Sequence, residues 1–190
     1  HAGCGYLLQS CHPPDHRWLT MVPDTKIAVF CVGNRLMLDD GVGPAVYDEI
    51  IDTYIIPEGV DFFDVGCMSM DMVAKVRDYD VMITVDAVDG TDADAGTVFR
   101  YEPHDIARNA SPVSSLHDLK LADLFDAAEL LGYTCEGMCY GMQVDNMSPA
   151  DFVVGLTPAV DRNLPLLVES VVAELSRRGF ELEKRVDSAK

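Results

Sequence analysis

The stretch KIAVFCVGNRLMLDDGVGPAVYDEI, Lys26–Ile50, reads as an apolar strand running into a polar turn with two adjacent aspartates, then a Gly-x-Gly-Pro step into a helix. Ile27–Val32 is continuously apolar, the pattern of a strand covered on both faces. From Gly41 to about Tyr54 the period changes. Val42, Val46, Ile50 and Tyr54 fall on one helical stripe, and Pro44 is tolerated in a first turn, where its missing N–H would have no partner anyway. A buried strand that ends in carboxylates and feeds a helix is how α/β sheets build ligand sites outside their carboxyl edge.

The alternation continues along the chain. Val60–Val65 (VDFFDV) predicts a second strand, Ser69–Asp78 a short helix with Met72, Val73 and Val76 inward, and Val81–Val85 (VMITV) a third strand ending on Asp86. Gly96–Tyr101 is expected as a fourth strand, antiparallel or at an edge, because only a loop precedes it. His117–Leu131 predicts a helix with Leu119, Leu121, Leu124 and Phe125 as its apolar positions and Gly132 as its cap. A fifth strand falls within Tyr133–Val144. The last helix runs from Thr157-Pro158 to Arg178 before Gly179, and Pro165 is expected to kink or restart it. Strands alternating with helices predict an α/β fold, a three-layer α/β/α sandwich around a mostly parallel five-stranded sheet.

Hydrophobic residues make up 48% of the 190, which argues for a packed core and against disorder. The net charge of −18 argues against nucleic acid and anionic membranes as partners. No apolar run approaches the roughly 20 residues that cross a bilayer. The six cysteines form no CxxC pair, and Cys31 and Cys67 lie in or beside apolar strands, so buried thiols in a reducing cytoplasm are expected. His1–Thr20 mixes Cys, His, Pro and Trp without periodicity. Residues 1–24 therefore read as an extension, non-native or disordered, with Met21 as a natural start and 25–190 as one α/β domain. Cys11, His12 and His16 lack the second ligand pair that a zinc finger needs.

The carboxyl edge of such a sheet would collect Asn34, Asp39 and Asp40 from the first strand, Asp64 from the second, and Asp86 and Asp89 from the third. Carboxylates gathered in one place repel one another, and Lys and Arg are scarce in these segments, so a metal cation is the simplest counter-charge. His117, opening a helix after Ser114-Ser115, is expected to reach the same rim. Two carboxylates and an imidazole suit a borderline divalent ion such as Zn²⁺ or Ni²⁺, with positions left for a substrate. Helix N-capping by Asp39 or Asp40 is the structural alternative. The turn lacks a dinucleotide fingerprint, and neither a P-loop nor a GxSxG elbow occurs. An aspartic-protease dyad of Asp40 and Asp86 would leave the histidine unexplained.

With these residues in view, GNRLMLDDGVGP resembles the first motif of the hydrogenase maturation proteases, DAVD the second, and SSLHDLKL the third. The resemblance extends from Lys26 through the last helix. It implies an α/β/α endopeptidase that removes a C-terminal extension from the large-subunit precursor of a [NiFe] hydrogenase after nickel insertion. By position, the residues that would contact the metal and support catalysis are Asp40, Asp86 and His117, while Asp64 matches a further family acid. The nickel would be supplied by the substrate, with Zn or Cd able to occupy the site in vitro. The partner would be the precursor, met in the cytoplasm by a monomer that binds neither nucleic acid nor membrane. The chain departs from the family in Gly90–Thr97, where Ala95 replaces the usual proline, and in a short Asp64–Asp86 segment. A non-catalytic metal-binding assembly chaperone on this fold, or a related peptidase with no nickel link, is the alternative.

Overall fold

The computed structural model describes residues 24–67, 72–103 and 116–186, with side chains from 123 onward in the last segment. The expectations for His1–Thr20 and for the start of the second helix at Ser69 lie outside the described residues. Strand β1 (Ile27–Val32) leads through a 3-10 turn, Leu38–Gly41, into helix α1 (Val42–Thr53). Then come β2 (Tyr54–Ile55), β3 (Val60–Gly66), the single turn α2 (Val73–Val76) and β4 (Val81–Val88). β5 (Val98–Tyr101), α3 (Leu116–Leu130), β6 (Glu136–Gln143), α4 (Pro158–Arg177) and β7 (Glu183–Lys184) complete the order.

Among the described residues five strands form one sheet in the order β3-β1-β4-β6-β5. β1 pairs in parallel with β3 and β4, and β4 in parallel with β6, while β5 runs antiparallel along β6 at the edge. All six residues of β1 and all eight of β4 are buried, as the unbroken apolar run requires of strands covered twice. One cover is α1 with α4: Val42, Val46 and Ile50 pack with Leu167 and Val171 over Val29, Ile83 and Met142. The other is α2 with α3, whose Val73, Val76, Leu124 and Phe125 pack over Phe30 and Met82. These are the three expected layers.

Three local expectations change. β4 runs on to Val88, because β6 continues to pair with it as far as Val88–Gln143, so Asp86 lies within the strand and not after it. α4 is one helix through Pro165 and does not restart there. The missing N–H forfeits one helical hydrogen bond, but Val160 on one side and Leu167, Val168 and Val171 on the other hold both halves in the same core. β2 and β7 form a two-stranded ribbon that no periodicity announced, and the Arg185 side chain beside it donates to the carbonyls of Ile51 and Tyr54 at the end of α1.

Candidate active site

β1 is the switch point of the sheet. The chain leaves β1 over one face through α1 to reach β3 on one side, then crosses the other face through α2 to reach β4 on the opposite side. Helices diverging from neighbouring strands open a crevice at their carboxyl ends, which is where ligands bind in open α/β sheets. The turn after β1 and the far end of β4 line this crevice, and the two are in contact.

The close fit of that corner is set by two glycines. Gly33 has φ +135°, and a Cβ there would run into the Asp40 carbonyl oxygen and lie 3.0 Å from its carbon. Gly43, in the first turn of α1, rests directly on the sheet: a Cβ would lie 2.7 Å from Val32 N, 2.8 Å from Val85 O and closer still to Val32 O. A side chain at either position would hold the turn away from the strands. Leu38 completes the bend in a left-handed conformation (φ 53°), uncommon for a residue with a branched side chain.

The two adjacent aspartates have different surroundings. Asp39 is fully buried and caps no residue of its own helix. Its carboxylate accepts from the amides of Asp145 (3.1 Å), Asn146 (3.0 Å) and Thr157 (2.6 Å), and from the Thr157 hydroxyl (2.9 Å). It therefore anchors the β6–α4 connection and places a negative charge at the start of α4. Asp40 is 6% exposed and accepts from the Asn34 amide at 3.0 Å. Asp86 is 4% exposed and accepts from the Ala87 amide at 2.8 Å. It occupies the first position of β4 beyond the pairing with β1, which ends at Cys31–Val85, and its register partner on β6 is Gly141, which carries no side chain. Asp40 and Asp86 thus share the crevice edge, each with a backbone amide directing one carboxylate oxygen.

Asp64 does not join them. Arg35, in the turn, donates to Asp64 from Nε (3.0 Å) and Nη2 (2.8 Å) and to Asp48 of α1 from Nη1 (2.5 Å). This guanidinium supplies the counter-charge that the sequence reading assigned to a metal, so the Asp64 carboxylate is a clamp between β3, the turn and α1. Asp89 is exposed and accepts from the Gly90 amide. Gln143, which sequence reasoning passed over, is 5% exposed and holds the loop after β4 through Thr91, whose amide and hydroxyl both donate to its Oε1. Cys31 is buried under Ile27–Val32's strand contacts; burial, and then the nearby Asp64 and Asp48, push its thiol far up, so it stays protonated as part of the core.

The side chain of His117 lies outside the described residues, but its helix gives its level. α3 ends in the Gly132 turn that feeds β6, so it runs antiparallel to that strand. Near its middle, Phe125 lies against Gly137, where an added Cβ would sit 2.6 Å from Phe125 Cζ. From Phe125 back to His117 the helix advances about 12 Å, and about 12 Å along a strand is between three and four residues. Position 117 therefore falls level with Tyr140–Gly141, the register partners of Val85 and Asp86. Among the described residues, no three His, Cys, Asp or Glu side chains converge as a metal site. Asp40 and Asp86 are two oxygen donors, and a third ligand would have to come from α3 or from a bound molecule.

An α/β/α sandwich with two buried carboxylates at its switch point defines a class of acid-based sites, and comparison with known proteins narrows it. The hydrogenase maturation protease model (HycI) matches residues 44–174, more than half of the chain, and the chain belongs to that family. It is 27% identical over 157 residues to the Hydrogenase 2 maturation protease of Escherichia coli K12, covering 82% of this chain and 94% of that protein. It is also 27% identical over 170 residues to the hydrogenase expression/formation protein HupD of Thiocapsa roseopersicina, covering 88% of this chain and 76% of that protein. The solved hydrogenase maturating endopeptidase HybD from E. coli superposes with a TM-score of 0.77 at 28% identity, over 86% of this chain and all of that one. The protein is accordingly a peptide-bond hydrolase of hydrogenase maturation. No described helix is long and apolar enough to cross a membrane.

Proposed function

We propose that this protease removes the C-terminal extension of a [NiFe] hydrogenase large-subunit precursor, and that Asp40, Asp86 and His117 grip the nickel ion which the precursor already carries. The observation that carries the reading is the pair of buried carboxylates at the switch point, Asp40 from the turn after β1 and Asp86 from β4. Two carboxylates at one crevice edge are hard oxygen donors of opposite charge to a divalent cation, so an ion brought by the substrate would be attracted there. Three protein ligands leave coordination positions open, which substrate donors would fill. The metal belongs to the substrate, so a precursor without nickel would lack its anchor, and cleavage would follow metal insertion.

In this reading the Asn34 and Ala87 amides keep Asp40 and Asp86 aimed at the ion. A carboxylate within reach of the scissile bond would take a proton from the attacking water. The test is to mix the protein with nickel-loaded and nickel-free precursor and to follow loss of the C-terminal peptide by mass spectrometry. Wild type should trim only the loaded form. Asp40→Asn, Asp86→Asn and His117→Ala should each fold and release no peptide. Trimming at the wild-type rate by any of the three would refute its assignment, and equal trimming of both precursor forms would remove nickel from the mechanism.

A further inference from the structure

At the rim of the crevice the chain exposes an apolar strip. Phe152 is 79% exposed, Val154 76% and Val153 39%, and Leu36 beside them is 46% exposed. Monomer surfaces carry scattered apolar side chains, but a contiguous group beside an active site marks a contact surface. This group is joined to the catalytic turn by backbone. The Val153 amide donates to Leu36 O (2.9 Å), and the Leu38 amide donates to Val153 O (2.8 Å), a parallel bridge centred on Met37. Leu38 is the left-handed residue immediately before Asp39 and Asp40.

The bridge also sets the orientation of the outer edge. Val153 spends both its amide and its carbonyl on the Leu36–Leu38 side. Alternation along an extended chain then turns the amides and carbonyls of Phe152 and Val154 to the opposite side. That side is an edge able to accept another strand, with apolar side chains to grip it. The loop carries exposed Asp145 and Asp151, and the chain as a whole is at −18, so a strand with basic flanks is favoured over an acidic one.

We propose that Phe152–Val154 is the substrate-docking edge: an extended apolar segment of the precursor polypeptide, flanked by basic residues, pairs as an added strand beside Phe152 and Val154 and is thereby aligned with Asp40 and Asp86. The proposal rests on the reading that this chain cuts a precursor protein, but not on nickel or on the identity of the metal ligands. Docking there contributes binding shared by the ground and transition states, so its loss acts on KM and not on the chemical step.

The experiment uses full-length protein and the nickel-loaded precursor. Phe152→Ser and Val154→Ser alter exposed side chains, so the urea midpoint should not move. Each should raise KM by about tenfold, as expected for the loss of one buried apolar contact, with kcat retained at saturating precursor. In a complex with the Asp40→Asn protein, hydrogen exchange at the amides of Phe152 and Val154 should slow. Unchanged KM together with unchanged exchange would overturn the proposal. So would a precursor that does not bind the wild-type protein, or loss of a dimer in the serine variants, since a second copy would then be the occupant. Failure of the nickel reading has a separate signature: cleavage independent of the metal, with the KM effect of the strip intact.

Discussion

The contact of α1 with the sheet makes one residue, Gly43, decisive for both fold and site, and Gly41 two positions earlier is its control. In Gly43→Ala the new Cβ would meet Val32 N at 2.7 Å, Val85 O at 2.8 Å and Val32 O closer still. Carbon and oxygen settle at about 3.4 Å, so the start of α1 must lift by roughly 1 Å. The obstructing atoms are backbone of two central strands and cannot turn aside as a side chain would. The penalty therefore belongs at the upper end of overpacking, about 3 kcal/mol, offset by up to about 1 kcal/mol from the better helix propensity of alanine. A net loss of about 2 kcal/mol should lower the urea midpoint by about 1 M for an m-value near 2 kcal/mol/M. In Gly41→Ala the nearest atom would be Arg35 Cα at 3.4 Å, an ordinary contact, and the change should stay below about 1 kcal/mol. Because Val85 immediately precedes Asp86 and Gly43 closely follows Asp40, the lift also separates the two carboxylates. Processing by folded Gly43→Ala should fall by about 100-fold, the scale of a 1 Å misplacement. A Gly43→Ala protein with the wild-type midpoint and rate, or a Gly41→Ala protein that loses as much, would refute this account of the corner.

Two further outcomes follow from the buried acids. Asp39→Ala removes the acceptor of the Asp145, Asn146 and Thr157 amides inside the protein. It should cost about 3 kcal/mol and accelerate hydrogen exchange at Thr157, whereas Asp40→Asn keeps an oxygen that can accept from the Asn34 amide and should cost less than Asp39→Ala. Glu174, 3% exposed on α4, is pushed up by burial but pulled down more strongly by hydrogen bonds from Arg177, Tyr140 and Arg178, and ends at about 2. Its folded value lies below its unfolded one. The stabilisation, on the order of 3 kcal/mol, is thus complete above about pH 5 and lost as the pH falls towards 2. Glu174→Gln should flatten acid unfolding in that window, and an unchanged acid limb would show that the arginine cluster contributes nothing.

The fold was legible in the sequence wherever a single residue pattern faced a single environment. Ile27–Val32 is buried throughout and was read to the residue, and the stripe Val42, Val46, Ile50 is the inward face of α1, while Tyr54, read as the end of that stripe, is buried as the first residue of β2. β5 was recognisable as an edge strand because the loop before it is too short to hold a crossover helix. What stayed hidden depends on partners distant in the chain. The end of β4 is fixed by β6, not by its own residues, which is why Asp86 read as a strand terminus. Pro165 read as a kink or a restart, and the restart does not occur because both halves of α4 rest on one core, which the local rule knows nothing of. The Arg35 clamp joins residues 13 and 29 positions away, and the Asp39–Thr157 anchor spans 118. No local period encodes either.

The same distinction accounts for the candidate site. Strand order alone placed six polar residues at the carboxyl edge, the motif resemblance picked out Asp40 and Asp86, and the surroundings of the others show what they do instead. Asp39 is absorbed by four donors from a distant loop, and Asp64 by a guanidinium from the turn itself. Asp40 and Asp86 are instead buried beside short backbone-directed contacts at the place where the crossover helices part. A cluster of acids at a sheet edge therefore does not call for a metal as a whole. Two of its members, Asp39 and Asp64, are held by donors that the fold itself supplies. The adjacent pair Asp39-Asp40 shows the difference within one turn: the first carboxylate accepts four hydrogen bonds from the β6–α4 connection, and the second lies at the crevice edge with the Asn34 amide on one of its oxygens.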